Sequence, residues 1–362
     1  IDDDRDGHDA KRVDVHFNVG GAQAVEDSLK VVRNHTGKTH QFAFMGGYHG
    51  RTLGASAITS SYRYRRRFGN FADRAHFVPY PYCFRCPYGM KVETCDTYCH
   101  KQFEHLFDTE YQSIWDEKAK QSEFGAFYIE PMQGTGGYIV PPAGYMKKLQ
   151  ESLKKRNILL VADEIQIGVY RTGKLWSWEN FDIIPDIFVF GKAITNGLNP
   201  LSGIWAREEL ISPEKFPPGS THSTFASNPL GTAVALEVMN MTLEKDFEPH
   251  VRDRGAYFLK RIQELKSRWK CVGDVSGLGL ALRIELCEKD GYTASRALAD
   301  RMFNEGLKGD IMIDGKQYGL VLDIGGYQKN VITLAPSLLI SEEEIDLGIK
   351  LFEALLKRCG AE

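Results

Sequence analysis

An aspartate and a lysine each follow a short apolar run in the middle of the chain. Asp163 follows residues 159–162, and Lys192 follows residues 187–190 after a single glycine. In an open α/β sheet, reactive side chains lie at the carboxyl ends of the strands, so both should enter one crevice. A lysine that forms a Schiff base and an aspartate that keeps a pyridine nitrogen protonated are what pyridoxal phosphate (PLP) chemistry requires. We therefore predict that Lys192 and Asp163 are catalytic.

The composition is that of a chain with a large buried core. Its 362 residues are 43% hydrophobic and 11% aromatic, which is enough for two domains. A formal net charge of −3 argues against nucleic acid as the main partner. The apolar runs are too short to cross a membrane, and residues 1–12 lack the apolar stretch of a secretory signal. The sequence therefore predicts a cytoplasmic protein without a membrane or nucleic-acid partner.

Four of the seven cysteines lie within residues 81–100, as Cys83, Cys86, Cys95 and Cys99. A CxxC pair followed by two further cysteines resembles the spacing of zinc ligands. The second pair is separated by three residues rather than two, which favours a structural surface excursion. We predict no metal site, and zinc binding or a disulfide clamp is the alternative.

Strand-length apolar runs alternate with helical patterns, which is typical of an α/β fold with a mostly parallel sheet. We predict a large α/β domain over residues 1–245, with the Cys-rich excursion inside it, and a smaller α+β domain over residues 246–362. Ser341 and Glu344 have the spacing of a capping box at the start of the last helix. The predicted strands are residues 13–19, 41–45, 126–129 and 281–286, and the predicted helices are residues 22–33, 145–155, 228–243, 251–269, 294–305 and 341–358.

Two further features could contact a phosphorylated ring. Gly20, Gly21 and Ala22 lie between a predicted strand and a predicted helix, where backbone amides can approach an anion. An ordinary turn is the alternative there. Tyr48 follows the strand 41–45 and could stack on a planar ring, although a buried tyrosine with a bonded hydroxyl explains it equally.

Six segments occur in the order, and at about the intervals, of a known enzyme family. They read GGAQAVEDSLK, YHGRT, IEPMQGTGG, ADEIQIGVYRTGK, FGKAITNG and STFASNPLG. Together they resemble the class III aminotransferases, the ornithine/GABA/lysine ω-aminotransferase-like branch of the fold-type I PLP enzymes. The resemblance runs from about Phe17 to Leu355. It implies a fold-type I transferase with pyridoxal 5′-phosphate as cofactor.

The resemblance implies a role for each matching position. Lys192 resembles the lysine that binds the cofactor and shuttles the substrate proton, and Asp163 the partner of the pyridine nitrogen. Glu130 resembles a structural glutamate of the family. The other positions that match the family's cofactor contacts are Tyr48 and Ile165 on the two ring faces, Gln166 at the phenolic oxygen, and Gly21 and Ala22 at the phosphate.

Thr224 matches a family hydroxyl that reaches the phosphate from the neighbouring subunit. The resemblance therefore implies a homodimer with shared active sites. The family also carries a longer segment before the phosphate loop than this chain does, from which we expect a trimmed chain or a reduced substrate pocket.

Two positions depart from the family pattern. Thr135 stands where members that use glutamate carry an acidic residue, and Thr333 stands where they carry the arginine that binds the α-carboxylate. Losing both together leaves no buried charge without a partner. Arg51, by contrast, matches an arginine that binds the distal carboxylate in GABA- and lysine-type members, with a surface ion pair as the alternative.

The resulting prediction is a PLP-dependent aminotransferase. It would move an amino group from an ω-amino acid or diamino acid to an oxo acid in a ping-pong reaction. A racemase or epimerase of the same fold is the first alternative, because the Cys-rich segment also resembles racemase-like relatives. An amino-sugar or polyamine aminotransferase is equally open, and a non-catalytic descendant would require the loss of Lys192.

Overall fold

The computed structural model describes residues 13–68, 71, 75–244 and 247–361. Within these ranges, no helix is both long and apolar enough to span a lipid bilayer. The described chain forms two compact units. Unit 1 is made of the residues up to Pro131, Pro141–Gln166 and Phe181–Met241, and unit 2 is made of Met132–Val140, Ile167–Asn180 and the residues from Thr242 onward.

Unit 2 thus takes two segments from the range that the sequence predicts as one large domain. These are Met132–Val140, which follows the sixth strand, and Ile167–Asn180, which follows the seventh. The boundary after residue 245 stays a prediction.

A central sheet organises unit 1. The strands of this unit are β1 (Val13–Asn18), β2 (His40–Phe44), β3 (Ala75–Val78), β4 (Trp115–Asp116), β5 (Gln121–Ser122), β6 (Phe124–Ile129), β7 (Leu159–Asp163), β8 (Ile187–Phe190) and β9 (Ser202–Arg207). Seven of them form one sheet in the order β1-β9-β8-β7-β6-β2-β3, while β4 and β5 pair with each other. The neighbouring strands β8, β7, β6, β2 and β3 pair in parallel. Strand β9 pairs antiparallel with β8 on one side and with β1 on the other. The predicted mostly parallel sheet is confirmed.

Unit 1 also contains seven described helices. They are α1 (Gly21–Thr36), α2 (Leu53–Ala57), α3 (Tyr62–Arg65), α4 (Tyr98–His105), α5 (Tyr145–Lys154) and α6 (Glu208–Ile211), followed by α7 (Pro229–Glu244). Among them, α1 and α6 pack on strands of the sheet. In α1, Val25, Leu29 and Val32 recur on one face and are fully buried against the strands. Gly37 ends the helix in a left-handed conformation, with its N–H on the Arg33 carbonyl.

Unit 2 is an α+β unit with its own core. Its strands are β10 (Val272–Leu278), β11 (Ala281–Leu286), β12 (Ile311–Ile313), β13 (Lys316–Tyr318), β14 (Asp323–Gly325) and β15 (Val331–Leu334), and its helices are α8 (Phe247–Arg268), α9 (Arg296–Leu307) and α10 (Glu342–Arg358). Four strands form an antiparallel sheet in the order β10-β11-β15-β14, and β12 pairs with β13. Phe258, Ile262, Ile345, Phe352 and Leu355 are among the buried side chains that join the helices to this sheet.

The last helix carries the predicted capping box. The Glu344 N–H donates to the Ser341 hydroxyl at 3.2 Å, and the Ser341 N–H donates to the Glu344 carboxylate at 2.9 Å. Two amide donors at the start of α10 are thereby satisfied.

Replacing Ser341 with alanine should therefore lower the free energy of unfolding by about 1 kcal/mol, because the Glu344 N–H loses the hydroxyl that accepts it. Ser341→Asp is the matched control, since aspartate caps a helix equally well. Urea unfolding followed by circular dichroism measures both. A Ser341→Ala midpoint equal to that of the native protein would contradict the role of the cap.

Candidate active site

The paired strands β7 and β8 place the predicted lysine and aspartate at one edge of the sheet. The two strands run parallel, with Asp163 opposite Val189. Glu164 continues the pairing, because its N–H donates to the Val189 carbonyl at 2.8 Å. Lys192 follows β8 by two residues. The carboxylate and the amine therefore leave the sheet at the carboxyl ends of neighbouring strands, as the sequence predicts.

Lys192 lies in a strained backbone conformation. Its φ is +45°, in the left-handed region, and it opens the single 3₁₀ turn Lys192–Thr195. A residue with a Cβ in this region costs about 1–2 kcal/mol, and such strain is concentrated at functional sites. The side chain is exposed, and within the described ranges no hydrogen bond or ion pair engages its amine. The amine is thus available for reaction.

Asp163 is held on both of its carboxylate oxygens. The side chain is only 4% exposed. Its Oδ1 accepts the N–H of Ile165 at 3.0 Å, and its Oδ2 lies 2.8 Å from Nδ1 of His49. Burial alone would lower the pKa of His49, but the hydrogen bond and charge of Asp163, together with the charge of Glu130, raise it overall.

Sequence reasoning did not assign His49 a role. Its ring is fully buried beside Asp163, although 114 residues separate the two in the chain. The available signal was its place directly after Tyr48, a residue already predicted to contact the cofactor.

The start of α1 is suited to an anion. No side chain caps this 16-residue helix, so its first amides are not satisfied by a capping group. A Cβ built on Gly21 would lie 2.8 Å from Cδ1 of Ile165, whereas one built on Gly20 would meet nothing within 4 Å. The loop therefore approaches Ile165 closely while its outer side stays open. Amides at an open helix start are the usual contacts of a phosphate.

Close contacts join the remaining loops of unit 1 around this point. A Cβ on Gly50 would come within 2.6 Å of the Ala22 side chain, so the turn after Tyr48 abuts the start of α1. A Cβ on Gly191 would come within 3.6 Å of Ile165. The structure thus assembles the loops that carry the predicted residues Gly21, Ala22, Tyr48, Asp163, Ile165, Gln166 and Lys192.

Arg51 lies beside two tyrosines. Its guanidinium carbon is 4.7 Å from the ring centre of Tyr64 and 5.9 Å from that of Tyr48. The two rings are in edge-to-face contact, with their centres 5.1 Å apart. Among the described residues, no carboxylate pairs with this exposed guanidinium. The surface ion pair considered for Arg51 is therefore not formed in the described chain.

Thr224 has no described hydrogen bond to the other predicted site residues. It is exposed on the segment before α7, and within the described chain no hydrogen bond joins it to them. The segment itself is anchored to α1, because Thr221 donates to the buried Asp27 carboxylate and Lys30 donates to the Ser220 carbonyl. Within one chain, no described hydrogen bond connects Thr224 to the predicted phosphate loop.

The two predicted substrate positions of unit 2 lie next to each other. A Cβ on Gly325 would lie 3.3 Å from the Thr333 methyl group and 3.5 Å from the Thr135 carbonyl oxygen. The Thr333 hydroxyl donates to the carboxylate of Asp323 on the neighbouring strand β14. Thr333 therefore has an acidic neighbour, Asp323, and supplies no positive charge of its own.

The cysteine cluster does not form a metal centre in the described chain. Cys83, Cys86, Cys95 and Cys99 line one cavity of about 20 Å³, and all are free thiols. Burial, with nearby thiols, raises the pKa of both Cys83 and Cys99 to about 11. Neither is then a thiolate at neutral pH. Among the described residues, no group of three or more His, Cys, Asp or Glu side chains is placed to hold a metal ion.

The side chains of this site fit PLP. An available amine at Lys192 suits its aldehyde carbon, the buried Asp163 carboxylate suits its ring nitrogen, and the uncapped start of α1 suits its phosphate. A larger residue at Gly21 would push the Ile165 side chain away from the start of α1.

Known proteins resemble this chain over most of its length. The model of the family described as aminotransferase class-III matches residues 8–356. A leucine/methionine racemase of Thermococcus litoralis is 32% identical over 94% of this chain and 72% of its own. A probable 4-aminobutyrate aminotransferase of Bacillus subtilis is 31% identical over 97% of this chain and 76% of its own.

The solved structure of a transaminase also resembles this chain. An amine transaminase from an uncultivated Pseudomonas species, in a PLP-bound form, aligns with a TM-score of 0.84 and 27% identity. The alignment covers 97% of this chain and 78% of that one. The chain therefore belongs to the class III aminotransferases, and it is a pyridoxal phosphate-dependent aminotransferase of fold type I.

Proposed function

We propose that this protein moves an amino group from the terminal amine of an ω-amino acid or diamino acid, of the lysine, ornithine or 4-aminobutyrate type, to an oxo acid. The observation that carries the proposal is Arg51. Its exposed guanidinium lies beside Tyr48 and has no acidic partner among the described residues. A guanidinium that no described carboxylate neutralises, next to the tyrosine proposed to contact the cofactor, suits the far carboxylate of such a donor.

The residues of the site divide the work. PLP, when bound, accepts the electrons that remain when a substrate C–H bond breaks. The Lys192 amine takes the proton from the substrate carbon that carries the amine. The Asp163 carboxylate supplies the negative charge that keeps the ring nitrogen protonated. Tyr48 and Ile165 would hold the ring on its two faces, Gln166 would contact its phenolic oxygen, and the Gly21 and Ala22 amides would hold the phosphate.

The surroundings of Thr333 support a donor with its carboxylate far from the reacting amine. Thr333 donates to the Asp323 carboxylate, and Thr135 lies on the other side of Gly325. An acidic residue beside Thr333 repels a carboxylate instead of binding it. Thr333 offers no cationic group to a carboxylate, so Arg51 is the proposed contact.

Racemisation is the second candidate, because the Thermococcus litoralis relative of this chain is named a racemase. Both reactions begin when Lys192 removes a proton from the substrate carbon. Racemisation needs that proton to return to the same carbon from the opposite face, which requires a second acid or base. Transfer of the amino group needs no such group. The Cys-rich segment that resembles racemases includes two thiols, Cys83 and Cys99, that are neutral at neutral pH.

We also propose a homodimer with composite active sites. The helix α7 and the segment before it expose large apolar side chains: Phe225 is 69% exposed, Leu230 is 65% exposed and Leu236 is 63% exposed. Several large apolar side chains exposed on one helix and the segment before it suit a protein interface, and a second copy of the chain is its proposed occupant. Such a dimer would carry Thr224 to the partner's phosphate loop. A cytoplasmic location stays a prediction of the sequence.

A substrate panel tests the reaction. We expect 4-aminobutyrate, lysine and ornithine to remove the visible absorbance of the bound cofactor and to give aldehyde or oxo products by mass spectrometry. Lys192→Ala, which lacks the reactive amine, serves as the blank. Solvent deuterium uptake with inversion of leucine or alanine, and no oxo product, would establish a racemase instead. Products from putrescine or an amino sugar alone would overturn the proposed donor class.

Replacing Arg51 with glutamine should raise the KM for 4-aminobutyrate about 10- to 100-fold, because a hydrogen bond to a charged group contributes about 1.5–3 kcal/mol. The KM for a simple alkylamine, which has no carboxylate, should stay unchanged. Arg63→Gln, at an exposed arginine of α3, is the control. Equal losses for both donors would show that Arg51 acts on the protein and not on the carboxylate.

Mixing two defective variants tests the composite site. Thr224→Ala should bind PLP weakly, and Lys192→Ala should be inactive. In a mixed dimer, one site combines the native Lys192 of one chain with the native Thr224 of the other. Refolding the two variants together should therefore restore activity at PLP concentrations where neither works alone. No recovery, with mixed dimers shown by native mass spectrometry, would mean that Thr224 acts within its own chain.

A further inference from the structure

The segment that carries Thr224 has no regular structure of its own. Residues 212–228, all of them described, join α6 to α7 without a helix or a strand. Their described backbone hydrogen bonds only close local turns, such as the bond from the Ser220 N–H to the Pro217 carbonyl at 3.0 Å. Local turns do not fix where a segment lies against the rest of unit 1. The position of Thr224 therefore depends on side-chain contacts.

One face of α1 supplies such contacts. Asn34 and Lys30 each donate to a backbone carbonyl of the segment, at 2.6 Å in the case of Asn34. The Thr221 hydroxyl donates to the carboxylate of Asp27. Positions 27, 30 and 34 are three and four residues apart, so they lie on the same face of the helix. This face of α1 holds the segment along its length.

Asp27 is the buried member of this row. Its side chain is 4% exposed, whereas Lys30 and Asn34 are exposed to water. A hydrogen bond to a charged group contributes more than one between neutral groups, and water competes less for a buried acceptor. The bond between Thr221 and Asp27 is therefore the strongest of the three anchors.

Strand β1 fixes the Asp27 carboxylate from the other side. Its Oδ2 accepts the Asn18 amide at 2.6 Å and lies 3.4 Å from Nε2 of His16. Burial alone would raise the pKa of Asp27, but the contacts with His16, Thr221 and Asn18 lower it overall. The carboxylate is thus ionised and held by β1, and its Oδ1 accepts the Thr221 hydroxyl.

Thr224 lies between this anchor and a second one. Thr221 precedes it by three residues, and Asn228 follows it by four. The Asn228 side chain accepts a backbone N–H of α7 at 2.7 Å, which ties that end of the span to the helix. Without the bond to Asp27, only the water-exposed bond of Lys30 would hold the segment just before Thr221.

We propose, on the basis of the composite active site proposed above, that Asp27 is a positioning residue, which acts through Thr221 to hold Thr224 where its hydroxyl reaches the phosphate in the partner's site. Asp27 contacts neither cofactor nor substrate in this role. Helix α1 then serves two sites. Its first amides face the phosphate of its own chain's site, and its middle sets a phosphate contact of the partner's site.

Two variants of Thr221 separate the hydrogen bond from the shape of the side chain. Thr221→Val keeps the shape and removes the donor, whereas Thr221→Ser keeps the donor. Thr221 is only half-buried, so both variants should fold. Thr224→Ala is the reference for a site without this phosphate contact.

The first measurement is the binding of pyridoxamine 5′-phosphate, which cannot form a Schiff base with Lys192, to the cofactor-free full-length protein by calorimetry. Thr221→Val should raise the Kd about tenfold, the lower end of what one hydrogen bond to a charged group contributes, and Thr221→Ser should keep the native Kd. The Kd for pyridoxamine, which has no phosphate, should stay the same in all variants.

The double variant Thr221→Val/Thr224→Ala tests whether the first residue acts through the second. It should bind pyridoxamine 5′-phosphate no more weakly than Thr224→Ala alone, because the anchor has no effect once the hydroxyl it positions is gone. Additive losses would show that Thr221 affects the site by another route, which overturns the proposed role.

Mixed dimers test which of the two sites the anchor serves. When Thr221→Val is refolded with Lys192→Ala, the site with the native Lys192 takes Thr224 from the chain with an intact anchor. Activity should therefore recover at limiting PLP, and the same is expected for Asp27→Ala in place of Thr221→Val. Recovery with Thr224→Ala but not with Thr221→Val would mean that the anchor serves its own chain's site.

The outcomes distinguish this role from the composite site itself. A native Kd in Thr221→Val, with weak binding in Thr224→Ala, overturns the role of Asp27 and leaves the composite site standing. A native Kd in Thr224→Ala overturns both. Equal weakening for pyridoxamine and its phosphate would show general structural damage and also overturn the role. Should Asp27→Ala not fold, the Thr221 variants decide.

Discussion

The pairing of β7 with β8 is the constraint on which the site depends. These parallel strands align Asp163 with Val189, and the ladder continues through Glu164 to the very end of β8. At the opposite end, the Asp186 carboxylate accepts the Leu160 N–H at 2.7 Å. Both ends of the pair are therefore fixed. A slip by one residue would turn the Asp163 side chain to the other face of the sheet and away from the Lys192 loop.

Around this pair, the site is assembled by backbone proximity more than by side-chain bonds. Gly21 approaches Ile165, and Gly50 approaches Ala22, at distances that exclude a Cβ. Glycine is needed at Gly50, whose φ is +135° and whose Cβ would meet the Ala22 backbone, whereas a Cβ on Gly21 would displace the Ile165 side chain. The uncapped start of α1 and the ring-contacting loops are thus brought to the strand ends. The loops proposed to contact the phosphate, the ring and the amine are thus positioned by the same packing.

The sequence predicts those features that a local pattern encodes. The apolar runs before Asp163 and Lys192 predict where strands β7 and β8 end. The capping box is predictable because Ser341 and Glu344 are only three residues apart. The helix α8 begins at Phe247, before the predicted residue 251, because Pro249 is tolerated in a first helical turn that has no need of its N–H. His49 was missed since its bond to Asp163 spans 114 residues, and no periodicity encodes such a contact.

The choice of reaction depends on what surrounds the proton-transfer lysine. Lys192 can reach the substrate carbon from one side, so the fate of the proton depends on whether another acid or base lies opposite. Two candidates, Asp163 and His49, are buried and hydrogen-bonded to each other, which leaves neither of them free to act as a mobile acid or base. A site with one mobile base and one anchored carboxylate favours transfer of the amino group over return of the proton.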